Sequence, residues 1–260
     1  MKKETFISKT FTDHLLITFM IMLICWIPCI ILGANGITKT DHAWINIPYI
    51  LGAFSTTIAS YIALKKNGEV TGFKDWLKQV FDFKHSIPEY LLAVGLAVVQ
   101  ALLMCLIGGY EKTGAVYMIV LSLPIMLIGG GLEEAGWRYI TFPELDKKIG
   151  FIPSAFVTGI IWAIWHLPLF YFADGQQYGQ SFLFFTINVI GTSFMIAAVR
   201  KITGSVWLCV LCHMFVNAIL EVFRYDFYGN PVLIAAPVMI VVSIVLVKIC
   251  ETRKIGKKRR

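Results

Sequence analysis

The sequence predicts an all-α integral membrane protein, a polytopic bundle of about eight spanning helices with both termini in the cytoplasm. The first observation is composition: 57% of the 260 residues are hydrophobic and 15% are charged, whereas about a quarter of the residues of a soluble domain carry charge. The second is patterning, because the charged residues lie between apolar runs long enough to cross a bilayer. We therefore expect residues 1–260 to form a single transmembrane domain.

Eight segments are apolar over about the 20 residues that a bilayer core requires. We predict spans at residues 15–33, 44–64, 90–108, 116–142, 151–172, 181–199, 204–222 and 231–248. The six cysteines mostly lie inside these runs. A thiol in such a run behaves as a small hydrophobic group, so the cysteines indicate no disulfide framework.

The distribution of basic residues tests this arrangement. If the N-terminus is cytoplasmic, 20 of the 23 lysines and arginines fall on the cytoplasmic side, and only Lys39, Lys112 and Arg224 fall on the other. The positive-inside rule expects such an excess from a correct topology. We assign the basic tail 249–260 to the cytoplasm, where it and the loop lysines contact anionic lipid headgroups. The net charge of +7 therefore indicates no nucleic-acid partner.

The loop between the second and third spans contains a short amphipathic segment. Phe73, Trp76, Leu77, Val80 and Phe81 fall on one face at helical spacing. This pattern predicts a helix lying in the cytoplasmic interface. The alternative is a loop packed beneath the bundle.

Three of the predicted spans carry polar groups at membrane depth. They are Glu133, Glu134 and Arg138 in the fourth span, His166 in the fifth, and His213 and Asn217 in the seventh. An ionisable residue at this depth costs roughly 2.5–3.5 kcal/mol on insertion scales, so each such group suggests a function.

Helical spacing divides these groups by role. Glu134 and Arg138 are four residues apart and share a face, where they neutralise each other. Glu133 points about 100° away, which leaves its carboxylate free. If the fourth and fifth helices form a hairpin turning near residues 148–150, Glu133 and His166 lie level, roughly 24 Å from the turn. A simple salt bridge at a helix end is the alternative explanation for the charged pair.

The set contains what hydrolysis of a peptide bond requires. Burial among apolar side chains makes a carboxylate a better proton acceptor, so that it takes a proton from water and later returns it. An imidazole beside it holds that water, and neutral donors such as His213 and Asn217 stabilise the oxyanion of the tetrahedral intermediate. The triple glycine 129–131 permits a close approach by another helix or by a substrate.

These residues resemble the motifs of the CAAX-protease and bacteriocin-processing family, also called Abi, which is related to the type II CAAX prenyl proteases. The motif EExxxR matches residues 133–138. The motif FxxxH matches Trp162 to His166, with tryptophan in place of phenylalanine, and the third motif matches His213 and Asn217. The motifs lie within residues 116–222, the predicted catalytic core.

The resemblance implies an intramembrane endopeptidase with an eight-helix core and a cavity open to the cytoplasm. It implies that Glu133 and His166 activate water, and that His213 and Asn217 form the oxyanion site. Glu134 and Arg138 would support the site or contact substrate. The tryptophan at position 162 would narrow the cavity.

Two other functions stay open at this point. A zinc protease would use Glu133, His166 and His213 as ligands, but the sequence has no HExxH motif and we predict no cofactor. A non-catalytic immunity or scaffold protein, or a transporter, would carry the same polar groups without chemistry. We expect a bacterial cell-membrane protein that acts on a peptide or a membrane-protein substrate.

Overall fold

The computed structural model describes residues 7–258, and helices make up nearly all of the regular structure in this part of the chain. They are α1 Lys9–Ala34, α2 Asn46–Ala53, α3 Ser55–Lys66, α4 Phe73–Val80, α5 Ile87–Gly108, α6 Met118–Ile128, α7 Glu134–Gly136, α8 Phe142–Ile149, α9 Phe151–His166, α10 Phe182–Thr203, α11 Val206–Val222 and α12 Val232–Lys258. The predicted all-α class is confirmed.

Shorter elements connect these helices. They are the 3-10 turns Ala43–Ile45, Gly131–Glu133 and Leu167–Tyr171, the π-helix Trp137–Thr141, and the antiparallel two-residue strands β1 Glu111–Lys112 and β2 Phe223–Arg224. Residues 249–258 of the predicted basic tail continue α12 as helix. The remaining basic residues of the two chain ends, Lys2, Lys3, Arg259 and Arg260, lie outside the described residues.

Five to seven helical segments of the described chain have the length and apolarity of a membrane span. The five unbroken ones are Lys9–Ala34, Ile87–Gly108, Phe151–Tyr171, Phe182–Thr203 and Val232–Thr252. Two more arise if each bent pair counts as one span: Ala43–Ala53 with Ser55–Lys66, and Met118–Ile128 with Gly131–Ile149. The protein is thus an integral membrane protein by its helices, but the predicted count of eight is not confirmed. The seventh predicted span, 204–222, corresponds to α11, whose 17 residues fall short of a full crossing.

The predicted fourth span, 116–142, is not one continuous helix. It bends by 45°, and the break coincides with the triple glycine 129–131. Gly130 adopts φ +138°, a backbone conformation that glycine reaches readily and other residues rarely do. Beyond the break, a 3-10 turn, one turn of α7 and the π-helix lead into α8, and the chain reverses at Gly150. The predicted hairpin turn near residues 148–150 is therefore confirmed.

The predicted second span, 44–64, is also bent, by 46° between α2 and α3. The indole of Trp26 lies against Gly52 so closely that a Cβ there would come 2.2 Å from Nε1. The same Nε1 donates a hydrogen bond of 2.9 Å to the carbonyl of Tyr49. The contact places the Trp26 ring and α2 side by side near the middle of the bundle.

Helix α10 lies at the centre of the bundle, with an unbroken buried stretch from Gly191 to Val199. It packs most extensively against α9 and α12. Gly191 makes the contact with α12 possible, because a Cβ there would lie 2.8 Å from the Cβ of Ala236. Small residues allow such close approach between membrane helices, where packing rather than the hydrophobic effect drives association.

The amphipathic segment in the second loop forms α4, as its spacing predicts. Trp76 and Val80 are buried against the bundle, and the Trp76 Nε1 donates a hydrogen bond of 3.1 Å to the Ser60 hydroxyl on α3. Phe73, at the start of the helix, is 54% exposed. One face of α4 therefore packs beneath the bundle, and its first turn leaves an aromatic ring outside.

Candidate active site

The glycine break brings the fourth segment into contact with α11. A Cβ at Gly130 would lie 2.5 Å from the Asn217 amide nitrogen and 3.0 Å from Nε2 of His213. The Asn217 amide donates a hydrogen bond of 2.9 Å to the carbonyl of Gly129. The break thus has two consequences: it ends α6, and it sets the following turn, which carries Glu133, beside the two polar residues of α11.

Glu133 is half-buried at the end of this turn. The indole Nε1 of Trp162 donates a hydrogen bond of 2.7 Å to its Oε2. Trp162 therefore contacts the carboxylate directly and fixes one oxygen, a role that its phenylalanine counterpart in the family motif would not perform.

His166 lines the same cavities as Glu133. Its Nδ1 lies 3.0 Å from the carbonyl oxygen of Trp162. A carbonyl only accepts hydrogen bonds, so Nδ1 carries the proton and Nε2 presents a lone pair. The ring packs edge-on against Trp165 and Phe185, with centroid distances of 4.6 and 5.0 Å. These contacts hold the imidazole in one orientation.

Glu134 and Arg138 form the predicted pair, at 2.9 Å, and both side chains are fully buried. The second Glu134 oxygen lies 2.9 Å from Nδ1 of His213. Arg138 also donates to the carbonyl and the hydroxyl of Ser193, at 3.2 and 3.1 Å, and its guanidinium lies over the Trp162 ring at 4.9 Å. The pair is thus the centre of a buried network that links α7, α9, α10 and α11.

The network decides how His213 takes part. Because Nδ1 is directed at a carboxylate, it carries a proton, and Nε2 of a neutral ring would be an acceptor. The expectation that His213 acts as a neutral donor therefore does not fit this geometry. Nε2 donates only when both ring nitrogens carry a proton.

Two cavities meet at Glu133, His166 and Gly129. The first, of about 150 Å³, is also lined by Trp162, His213 and Asn217, and on its far side by Gln100, Asn188 and Thr192. The second, of about 210 Å³, is lined mainly by apolar groups, among them Trp26, Tyr49, Phe54, Ile128, Trp165 and Leu169. Glu133 therefore borders both cavities, and the second, between α2 and α6, has more apolar residues in its lining, together with Gln177.

The polar wall of the first cavity is absent from the sequence-based predictions. Gln100 interrupts the otherwise apolar run of α5, and Asn188 and Thr192 stand four residues apart on α10. The insertion-cost argument applies to ionisable residues, so it does not single out a lone amide in a spanning segment. Only the packing of α5 against α10 brings these three residues to the cavity.

The first cavity continues into a wider hollow of about 370 Å³ through the shared residues Leu220, Tyr225 and Phe227. The hollow is also lined by Gln176 and Arg224, which lie in the loops 172–181 and 223–231. These loops join the ends of α9, α10 and α11 that are remote from the basic turns at Lys147–Lys148 and Arg200–Lys201. The hollow thus lies at the end of the bundle remote from these lysine and arginine residues.

The three ligands of the zinc alternative can be compared with this geometry. In residues 7–258, no group of three or more His, Cys, Asp or Glu side chains is arranged to hold a metal ion. Nδ1 of His166 is directed at a carbonyl and Nδ1 of His213 at Glu134. The prediction of a cofactor-free site stays a prediction.

Comparison with known proteins supports the motifs. Residues 112–219 match the family model of the type II CAAX prenyl endopeptidases, Rce1-like, and this segment contains all the predicted site residues. The chain is also 24% identical over 225 residues to CAAX prenyl protease 2 of Methanococcus maripaludis. The alignment covers 78% of this chain and 81% of that protein. The resemblance seen in the motifs is confirmed over residues 112–219, and both comparisons support an intramembrane endopeptidase.

Proposed function

We propose that the protein hydrolyses a peptide bond by a water molecule that Glu133 activates. The observation that carries this proposal is the meeting of two cavities at a half-buried carboxylate and at the free Nε2 of His166. One oxygen of Glu133 is held by Trp162, and the carboxylate borders both cavities, where water can reach it. A substrate chain that passes from one cavity into the other would therefore meet the activated water at one place.

The reaction follows from these positions. A water held between Glu133 and His166 attacks the carbonyl carbon of the scissile bond and passes a proton to the Glu133 carboxylate. The C–N bond of the tetrahedral intermediate then breaks, and the same proton moves from Glu133 to the leaving amine. The products are a carboxylic acid and an amine, and the carboxylate of Glu133 is restored.

His213 and Asn217 supply the charge stabilisation. Nε2 of His213, when it carries a proton, and the Asn217 amide hydrogen that does not bind Gly129 would donate to the oxyanion. Glu134 holds His213 through Nδ1, and Arg138 balances the charge of Glu134. Glu134 and Arg138 are therefore positioning residues with no substrate contact of their own.

The two cavities suggest the kind of substrate. A peptide or membrane-protein segment that crosses Glu133 would place one flank among the apolar side chains between α2 and α6. The other flank would lie in the polar cavity. The similar archaeal protein is named for prenylated CAAX substrates, so a prenyl group is one candidate for the apolar flank.

The catalytic proposal is tested by a cleavage assay on purified protein in detergent micelles. The probes are a fluorogenic CAAX peptide bearing a farnesyl group and the same peptide without it. We expect His166→Ala to lower kcat about 10²- to 10⁴-fold, since it removes the group that holds the attacking water. Chelator should leave wild-type turnover unchanged.

Two outcomes would contradict this mechanism. Wild-type turnover by His166→Ala would remove the histidine from it, and complete loss of activity in chelator, restored by zinc, would favour the metalloprotease. Thr186→Val is a matched control, because its hydroxyl bonds only within α10, to the carbonyl of Phe182, and lines neither cavity.

The direction of substrate entry follows from the cavity mouth. The hollow opens between the loops 172–181 and 223–231, and Arg224 is the basic residue they contain. By the positive-inside rule this is the face away from the cytoplasm. The geometry therefore favours entry from that face in place of the predicted cytoplasmic access. The bacterial origin stays a prediction.

Cysteine labelling of intact cells distinguishes the two faces. Gln176→Cys places an exposed thiol at the cavity mouth, and Lys74→Cys places one on α4. We expect a membrane-impermeant maleimide to label the first variant in intact cells and the second only after the cells are broken. The reverse pattern would restore cytoplasmic access. Wild-type protein gives the background from the six native cysteines.

A further inference from the structure

We infer that Gln100, Asn188 and Thr192 bind the backbone of an extended peptide opposite the catalytic carboxylate. This inference rests on the proposed function and adds to it the group that selects substrates. It concerns side chains on α5 and α10, which lie outside the three motifs.

Gln100 is 4% exposed, in the apolar helix α5. Its amide nitrogen donates a hydrogen bond of 2.8 Å to the Thr192 hydroxyl and approaches the side-chain oxygen of Asn188 at 3.5 Å. Its amide oxygen is buried and has no partner among the described residues. The side chain lines the first cavity, across from Glu133, His213 and Asn217.

A purely structural role explains only half of this arrangement. The bond from Gln100 to Thr192 links α5 to α10, as polar residues often do between membrane helices. A serine or threonine at position 100 would make a similar link without a second polar atom. The unpaired oxygen of Gln100 costs free energy, because a buried acceptor without a hydrogen bond has lost its contact with water. A donor that enters the cavity would remove that cost.

An extended peptide supplies such a donor. A segment unwound for cleavage loses its internal hydrogen bonds, and each unpaired backbone group at membrane depth costs several kcal/mol. The Gln100 oxygen would accept a backbone N–H of the substrate. The Asn188 amide nitrogen, on the half-buried side of the cavity, would donate to a backbone carbonyl. Contacts to the backbone select an extended segment whatever its side chains.

The test combines one variant with substrates N-methylated at single backbone amides, which removes one donor at a time. Using the farnesylated fluorogenic peptide, we expect wild type to lose about tenfold in kcat/KM for one N-methylated position near the scissile bond. Gln100→Leu should raise KM for the unmethylated peptide by about the same factor, with kcat nearly unchanged, and should be insensitive to methylation at that position.

The outcomes separate this inference from the catalytic proposal. If wild type cleaves the peptide, Glu133→Gln does not, and Gln100→Leu keeps the wild-type KM, the inference is wrong and the mechanism stands. If Gln100→Leu raises KM but keeps the methylation sensitivity of wild type, Gln100 is only structural and the inference is wrong. The methylated series is measured on wild type as well, so a poorly folded variant does not prevent the decision. Thr186→Val serves again as the control on α10.

Discussion

Glu133→Gln is expected to lower kcat for peptide cleavage by about 10³- to 10⁴-fold, the upper part of the range for loss of a general base. Glutamine has nearly the size of glutamate and its side-chain oxygen still accepts the hydrogen bond from Trp162. The cavity and the fold should therefore survive while the proton acceptor is lost. KM should change little, since a peptide bound in the two cavities contacts Glu133 only through the attacking water. The measurement is steady-state hydrolysis of the fluorogenic peptide by purified protein.

Glu144→Gln is the matched control for this variant. Glu144 lies on α8 and accepts a hydrogen bond of 2.8 Å from the backbone N–H of Ser8, and it lines neither of the cavities that meet at Glu133. We expect it to retain wild-type turnover. Equal turnover by Glu133→Gln and wild type would end the proposal that this carboxylate activates water. It would also leave the meeting of the two cavities without a catalytic meaning.

Arg138→Met is expected to destabilise the protein by about 3–5 kcal/mol, the usual cost of leaving one member of a buried ion pair alone. Glu134 would lose its cationic partner at 2.9 Å, and the carbonyl of Ser193 would lose a donor. Methionine fills much of the volume but supplies neither charge nor hydrogen bonds. The measurement is unfolding of the purified protein in micelles, by heat or by titration with a denaturing detergent.

The double variant Glu134→Gln with Arg138→Met is the control that isolates the charge. It removes both charges, so we expect it to recover a large part of the lost stability. Because the carboxylate that holds Nδ1 of His213 is lost, its activity should stay low. If the single variant were as stable as wild type, or the double variant no more stable than the single one, the buried pair would not hold α7 to its neighbours in the way described.

Several features of the site were accessible from spacing alone. The pairing of Glu134 with Arg138 and the common face of His213 and Asn217 each follow from positions four residues apart on a helix. The reversal near Gly150, and with it the meeting of the fourth segment and α9, followed from the length of the two segments. The family motifs added the expectation that these groups share one cavity, and the cavity contains Glu133, His166, His213 and Asn217.

Other features lay beyond any local pattern. The link between Glu134 and His213 joins residues 79 positions apart, and the backbone φ of Gly130 that makes it possible is not written in the triple glycine itself. Trp162, predicted to narrow the cavity, also donates a hydrogen bond directly to Glu133. Gln100 is not among the predicted site residues, because the role of a single amide in an apolar helix depends on which helix packs beside it.

The sequence by itself determined the helical class, the membrane setting and which polar residues lie within the apolar segments, because apolar length and helical period depend on neighbours along the chain. Only the tertiary structure decided how many segments are long enough to cross, which group each histidine Nδ1 contacts and which helices border the cavity. Those properties depend on contacts between helices far apart in sequence. The apolar face of a helix predicts which side chains are buried. Which helix covers that face depends on the path of the backbone between the two helices.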